Sequence, residues 1–435
     1  MRSLLRWTVL HGLGRVATRR WAAGGDPQAA LIADPAVRAD PYPTYERIRG
    51  RGAISVSPIG FVTADHAVVN ATLRSDDFKV SSVADDAPPQ LGRIERLTRP
   101  ATLHPLMPPS LLSIEPPEHT RYRTLVSSVF TARAVAALRD DVQAVADRLL
   151  VELADEDGPV DIVARYCARL PVAVISEILG VGAADQERVL AFGEQAAPSL
   201  DFGLSYRQFR SVEQGLAAFD AWLGEHLARL RREPGTDLMS QLIRATVDGE
   251  HLDDTELRAT AGLVLAAGFE TTVNLLGSGV RLLAEHPDQL AALRADPRLW
   301  SNAVDEVLRF EPPVQMTARV AKHATEVAGR RVPGGAVVAL LLAGANRDPM
   351  VFSEPARFDV ARQNANRHLS FSGGRHFCLG AALARLEGEV GLRSLFERFP
   401  ALRVDGPGTR RSTRVLRGWA SLPVRLSTGR ASVVG

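Results

Sequence analysis

Cysteine is nearly absent: Cys167 and Cys378 are the two in 435 residues. Two thiols cannot build a disulfide framework, and their scarcity points to a reducing compartment. An excess of one charge is missing as well. There are 52 Lys and Arg against 50 Asp and Glu, without the basic surplus that a nucleic-acid binder shows. Near the N-terminus no long apolar run occurs. The longest uncharged piece there, residues 7–14, falls far short of the ~20 apolar residues that span a bilayer, and it lacks the core and cleavage site of a signal peptide. No internal repeat, low-complexity tract, flavin fingerprint or nicotinamide fingerprint is present. The sequence thus reads as a cytoplasmic protein whose 46% hydrophobic residues suffice for a large core. Residues 1–24 stand apart as a basic segment, with Arg2, Arg6, Arg15, Arg19 and Arg20 among Leu4, Leu5, Trp7, Val9 and Leu10. The expectation there is a surface helix or frayed tail, with weak peripheral membrane contact as the alternative.

The most constrained stretch is residues 371–380, Phe-Ser-Gly-Gly-Arg-His-Phe-Cys-Leu-Gly. It delivers Cys378 to the start of an apolar helical run over residues 381–399. Backbone N–H groups and the positive end of a helix favour a thiolate at such a place. A permanent thiolate needs a counter-cation. A lone one cannot complete a tetrahedral zinc site, but it can be the single axial ligand of a haem iron. The plainer reading is an inert Cys at a helix entrance.

A second unusual stretch lies on a long apolar helix. Asp253 and Glu256 fit a capping box, and Pro287 stops the helix after His286, so it must cross the interior. Ala267-Gly268-Phe269-Glu270-Thr271-Thr272 sits inside it. Gly268 costs ~1 kcal/mol relative to Ala, Thr271 can bond back to the Ala267 carbonyl, and a buried Glu270 needs a partner or a proton-handling role. The plainer reading is a softened helix with a salt-bridged Glu. Elsewhere, His119 and Arg123 share one helix face. So do Glu306 and Arg309, among apolar neighbours.

Taken in order, these segments resemble cytochromes P450, from about residue 35 to 426. The resemblance rests on Phe371, Gly374, His376, Cys378 and Gly380 for the ligand loop, Ala267, Gly268, Glu270 and Thr271 for oxygen activation, and Glu306 with Arg309 for a structural pair. It implies a mainly α fold with small β-sheets, a single domain over residues 25–435, and heme b (iron protoporphyrin IX) as cofactor. It further implies Cys378 as metal ligand and Glu270 and Thr271 as a proton relay. His119, Arg123, Arg319 and His376 are implied partners of the haem propionates. Arg357 or Arg362 is expected as a third member of the Glu306–Arg309 pair. The implied activity is insertion of one atom of O2 into an apolar small molecule, such as a lipid, steroid, terpene or polyketide. Electrons would come from NAD(P)H through ferredoxin reductase and ferredoxin. Arg121, Arg375 and Arg385 could contribute to a basic docking face for ferredoxin, or simply be solvated arginines. A haem-thiolate peroxygenase or isomerase and a non-catalytic haem sensor are the alternatives. A hydrolase using Cys378 fits poorly, because His376 is too near in sequence to serve as its base and no third group is evident.

Local patterning adds a helix near residues 39–52, one strand over 55–63, and an irregular Pro-rich stretch over 77–118. It also gives a helix from Pro117 through Leu125 and Val129, two strands within 327–343, and a hairpin over 414–426.

Overall fold

The computed structural model describes residues 2–81, 97–98, 102–127, 130–156, 158–235, 237–244 and 252–427. Eight helices carry the argument: α1 (Glu118–Ser127), α2 (Arg139–Ala154), α3 (Arg169–Ile178), α4 (Gln186–Ala196), α5 (Tyr206–Arg232), α6 (Asp254–Glu285), α7 (Trp300–Phe310) and α8 (Ala381–Arg398). The helix expected from Asp253 is α6. The Asp253 carboxylate accepts from the Thr255 and Glu256 N–H groups, and Glu256 returns a bond to the Asp253 N–H. Both ends of this capping box satisfy donors that the first turn would otherwise leave open.

Leu257, Leu265, Phe269, Val273, Leu276, Val280 and Leu283 of α6 belong to the main core, together with residues of α2, α3, α5, α7 and α8. Glycines let the neighbouring helices come close. A Cβ on Gly279 would lie 2.6 Å from Leu392 Cδ1 of α8, and one on Gly268 would lie 3.1 Å from Ile175 Cδ1 of α3. Gly268 therefore packs against α3, a reason that the sequence did not reveal. By length and hydropathy α6 could cross a membrane, but 72% of its most apolar window is buried inside the fold. Cys167 is fully buried in the same core, and burial raises its thiol pKa.

A five-stranded sheet lies to one side. Its strands are β1 (Ser55–Ser57), β2 (Gly60–Thr63), β3 (Phe78–Val80), β4 (Thr317–Ala321) and β5 (Val337–Leu340), in the order β1-β2-β5-β4-β3. The β2–β5 pair is parallel and the others are antiparallel. Residues 55–63 thus form a hairpin rather than one strand. Gly60 makes this turn possible: its φ is +136°, and a Cβ there would sit 2.7 Å from the Val337 carbonyl oxygen. Two further departures concern short β segments. Residues 325–340 hold three strands, because Ala328-Gly329 adds a turn before Pro333-Gly334-Gly335. The expected 414–426 hairpin is divided: Trp419–Ser421 pairs with Thr409–Arg410, whereas Pro423–Arg425 joins Pro159–Asp161 and Arg403–Val404. Val129 and part of the Pro-rich stretch lie outside the described residues.

Residues 2–23 are helical and docked, not frayed. Trp7 Nε1 donates to the Leu204 carbonyl at 2.9 Å, and Arg6 pairs with Glu213 of α5 at 2.9 Å.

One buried acid escaped the sequence reading. Glu387 of α8 is 1% exposed, and burial raises its pKa well above the ordinary 4.5, with a hydrogen bond to Thr272 of α6 opposing. A carboxyl whose folded pKa is raised contributes its stability below the unfolded value, and loses it as pH climbs toward the folded one. Glu387→Gln keeps the shape and does not titrate. The Tm advantage of the variant over the parent should therefore widen steadily from pH 5 upward. A constant difference across that range would show that Glu387 is ionised in the fold.

Candidate active site

The ligand loop rests on the helix His66–Arg74 and enters α8. Gly374 has φ +64°, and a Cβ there would lie 2.5 Å from the Leu73 carbonyl oxygen, so the loop tolerates no side chain at that point. Ser372 adopts φ 63°, a conformation rarely used outside glycine. The Cys378 N–H donates to the Phe371 carbonyl at 2.9 Å, which closes the loop. Arg385 lies 4.6 Å over the Phe371 ring and pairs with Asp305 at 2.7 Å. A Cβ on Gly380 would meet nothing within 4 Å, so no protein neighbour demands that glycine.

Cys378 is exposed, yet burial raises its thiol pKa, against the Gly380 N–H and the guanidinium groups of Arg123 and Arg385. Ala267 of α6 is likewise exposed, although Leu265 and Phe269 beside it are buried.

Basic side chains collect around Glu115. The His119 and His376 rings are 4.4 Å apart. His376 Nε2 stands 3.4 Å from Glu115 Oε1 without hydrogen-bond alignment. Glu115 also pairs with Arg375 at 2.8 Å and accepts from the Val80 N–H at 2.7 Å. Val80 pairs in the sheet with Arg319, which brings β4 to the same place. Burial alone would raise the Glu115 pKa, but His376 and the Val80 N–H hold it below the usual value. Burial lowers His119 to about 4, with His376 and Arg123 adding to the effect. It lowers Arg319 to about 10. His119 Nε2 has no hydrogen-bond partner. Arg123 shows no ion pair among the described residues, and burial depresses it too.

Glu115 and Asp76 serve Arg375 and His376, whereas Arg123 and Arg319 pair with no carboxylate among the described residues and His119 Nε2 lacks an acceptor. Buried donors of this kind require acceptors, which leaves an anion deficit. Two carboxylates on a flat, metal-bearing ligand match that deficit on one side and the Cys378 sulfur on the other. The residues therefore fit a haem. Glu115 was missed because nothing in an acid before Pro116-Pro117 announces a contact with residues 260 positions onward.

On α6, Thr271 Oγ1 donates to the Ala267 carbonyl at 3.0 Å and Thr272 Oγ1 to Gly268 at 3.3 Å. Glu270 is 3% exposed. Arg411 Nη1 approaches its Oε1 to 3.1 Å, but both carboxylate oxygens and Arg411 Nε lack aligned hydrogen-bond partners. The contact is thus electrostatic only. Burial pushes the carboxyl up to about 7; Arg411 opposes this and Glu194 adds to it. Arg411 was also missed, since no local pattern links it to α6.

The Glu306–Arg309 pair is fully buried, with contacts of 2.6 and 2.8 Å. Arg362 is the third member, at 3.2 Å from Glu306. Arg357 instead offers its carbonyl to Arg309 and pairs with exposed Glu354. The three arginines considered for docking are all engaged. Arg121 pairs with Glu256, Arg375 with Asp76 and Glu115, and Arg385 with Asp305. Their charges are largely spent internally, which argues against that particular docking face.

Comparison with known proteins decides the family. The cytochrome P450 family model matches residues 200–413. The chain is 56% identical to cytochrome P450 140 of Mycobacterium tuberculosis over 436 residues, covering 100% of both. It is 39% identical to 6-deoxyerythronolide B hydroxylase of Saccharopolyspora erythraea, covering 89% of this chain and 96% of that one. The chain belongs to the cytochrome P450 family. Solved P450 structures agree: a ligand-free P450 of Mycobacterium smegmatis matches with TM-score 0.79 at 35% identity, covering 92% of this chain and 99% of that one. P450BioI, solved with an acyl-carrier protein bearing hexadec-9Z-enoic acid, matches with TM-score 0.80 at 30% identity, covering 90% and 100%. This P450 is a haem-thiolate monooxygenase with protoporphyrin IX haem as cofactor.

Proposed function

We propose that this P450 hydroxylates or epoxidises an apolar small molecule of the lipid, steroid, terpene or polyketide kind, in the cytoplasm, with NAD(P)H electrons delivered by ferredoxin reductase and a ferredoxin. Support for the substrate class comes from similar proteins named for hydroxylation of 6-deoxyerythronolide B and of vitamin D(3), the latter 37% identical. Haem with a cysteine thiolate supplies the oxygen chemistry.

The chain's own residues do the rest. Cys378 would hold the metal, aided by the Gly380 N–H. His119, Arg123, Arg319 and His376 would bind carboxylates, with Phe371, Gly374 and Gly380 shaping the loop. Ala267 and Gly268 keep α6 slim there. Thr271, tied to the Ala267 carbonyl, holds a hydroxyl beside the accessible face of α6. Glu270, poised near neutrality, takes and gives protons.

The observation that carries this reading is the succession, on one turn of α6, of a buried carboxyl raised to about 7 and a hydroxyl tied to the Ala267 carbonyl. Thr271→Ala should retain haem and NAD(P)H consumption, while product per NAD(P)H falls roughly tenfold or more and peroxide rises. Coupling in the parent should change as pH passes through about 7, where Glu270 loses its proton, and Glu270→Gln should flatten that profile. Equal coupling in parent and Thr271→Ala would refute the relay. Turnover without NAD(P)H would favour the peroxygenase or isomerase reading.

A further inference from the structure

Residues 2–23 have two apolar faces, and only one of them is used by the fold. Inward, Trp7 and Leu10 pack on Phe209, Val212 and Leu216 of α5. Ser3 and Arg6 bond Glu213, and Arg15 donates to the Gly203 carbonyl. Outward, Leu4, Leu5, Leu13 and Val16 are exposed.

The π-helical turn Thr8–Gly12 keeps these residues aligned. Over eight residues of regular α-helix, Leu13 would fall about 80° away from Leu5. The wider turn absorbs that offset. Two aromatics extend the patch. Phe202 is 45% exposed, and its ring lies where a Cβ on Gly14 would be; Tyr206 is 39% exposed and meets Trp7 edge-on at 5.6 Å. These six residues are half of the twelve large hydrophobics exposed among the described residues.

Charge selects the occupant. Residues 1–25 contain five Arg and no Asp or Glu, which leaves 47 Lys and Arg against 50 Asp and Glu in residues 26–435. Arg2, Arg19 and Arg20 are exposed and have no acidic partner among the described residues. An apolar stripe flanked by free guanidinium groups matches the headgroup boundary of an anionic bilayer. A second copy of the chain would instead bring these arginines against their own kind.

We propose that the outward face of residues 2–23, with Phe202 and Tyr206, adsorbs reversibly to anionic lipid membranes. Residues 201–206 lead directly into α5, which packs on α6. Taking the apolar-substrate reading above as given, adsorption would set the protein beside the phase in which such a substrate dissolves.

The test is sedimentation of the full-length holoenzyme with phosphatidylglycerol-rich vesicles and with pure phosphatidylcholine vesicles. Binding is expected to the former, weaker binding to the latter, and a decline with salt. Leu5→Ser/Leu13→Ser/Val16→Ser and, separately, Arg19→Glu/Arg20→Glu should each reduce it at least tenfold, with the haem spectrum unchanged and Tm little altered, because none of these side chains belongs to the cluster packed on α5. No binding to anionic vesicles, or binding unaffected by both variants, overturns the proposal. Concentration-dependent dimerisation abolished by the Leu/Val variant, without vesicle binding, also overturns it by assigning the face to a second copy. None of these outcomes bears on the monooxygenase reading, which is judged by coupled turnover with soluble substrate.

Discussion

Cys378→Ala is expected to abolish the thiolate Soret band of the reduced carbon monoxide complex and to reduce turnover to background. The fold itself should survive, because the loop is closed by the Cys378 N–H and the Phe371 carbonyl, which alanine retains. Burial alone would keep this sulfur a neutral thiol. A metal cation reverses that preference, since thiolate is the ligating form. Cys378→His supplies the complementary measurement: iron held through imidazole, with a histidine-type spectrum. A thiolate band that persisted in the alanine variant would remove Cys378 from its role, and the oxygen-activating assignment of Glu270 and Thr271 would lose its anchor.

Arg309→Ala should be the most damaging change away from the chemistry. It leaves Glu306 buried with only Arg362 and the Asp359 N–H as partners. Breaking a buried ion pair in this way typically costs ~3–5 kcal/mol. The damage should also reach the haem. Arg309 donates to the Asn346 carbonyl at 3.0 Å, Asn346 bonds Ser370 Oγ at 2.8 Å and the Leu369 N–H at 2.7 Å, and Ser370 adjoins the ligand loop. Denaturant titration and haem retention should therefore fall together. If the alanine variant does not accumulate, Arg309→Lys serves as the milder probe, because an ammonium cannot reproduce the two-pronged contact. Arg362→Ala should cost less, since Arg309 keeps both of its bonds to Glu306. Arg309→Lys matching the parent in stability and haem content would show that the network is dispensable.

The extent to which the site was legible follows sequence distance. The Cys378 loop, the capping box of α6 and the Thr271–Ala267 bond are contained within a few residues, so spacing alone conveys them. Glu115 and Arg411 were invisible because their partners lie far along the chain and their immediate neighbours look ordinary. For Arg121, Arg375 and Arg385 the residue type suggested an open basic surface, whereas the fold supplies each with an acid from another element. The β segments were misjudged in number for a different reason. Strands of two to four residues carry too few alternations to register, and single glycines such as Gly60 and Gly329 are faint marks of the turns between them.

The close approaches at Gly268 and Gly279 fix α6 against α3 and α8 at two heights. A rod clamped twice can neither slide nor rotate without forcing Cβ-free backbone into Ile175 or Leu392. The turn of α6 that carries Glu270 and Thr271 is therefore held in place from both sides, and any adjustment around it falls to side chains rather than to the axis of the rod.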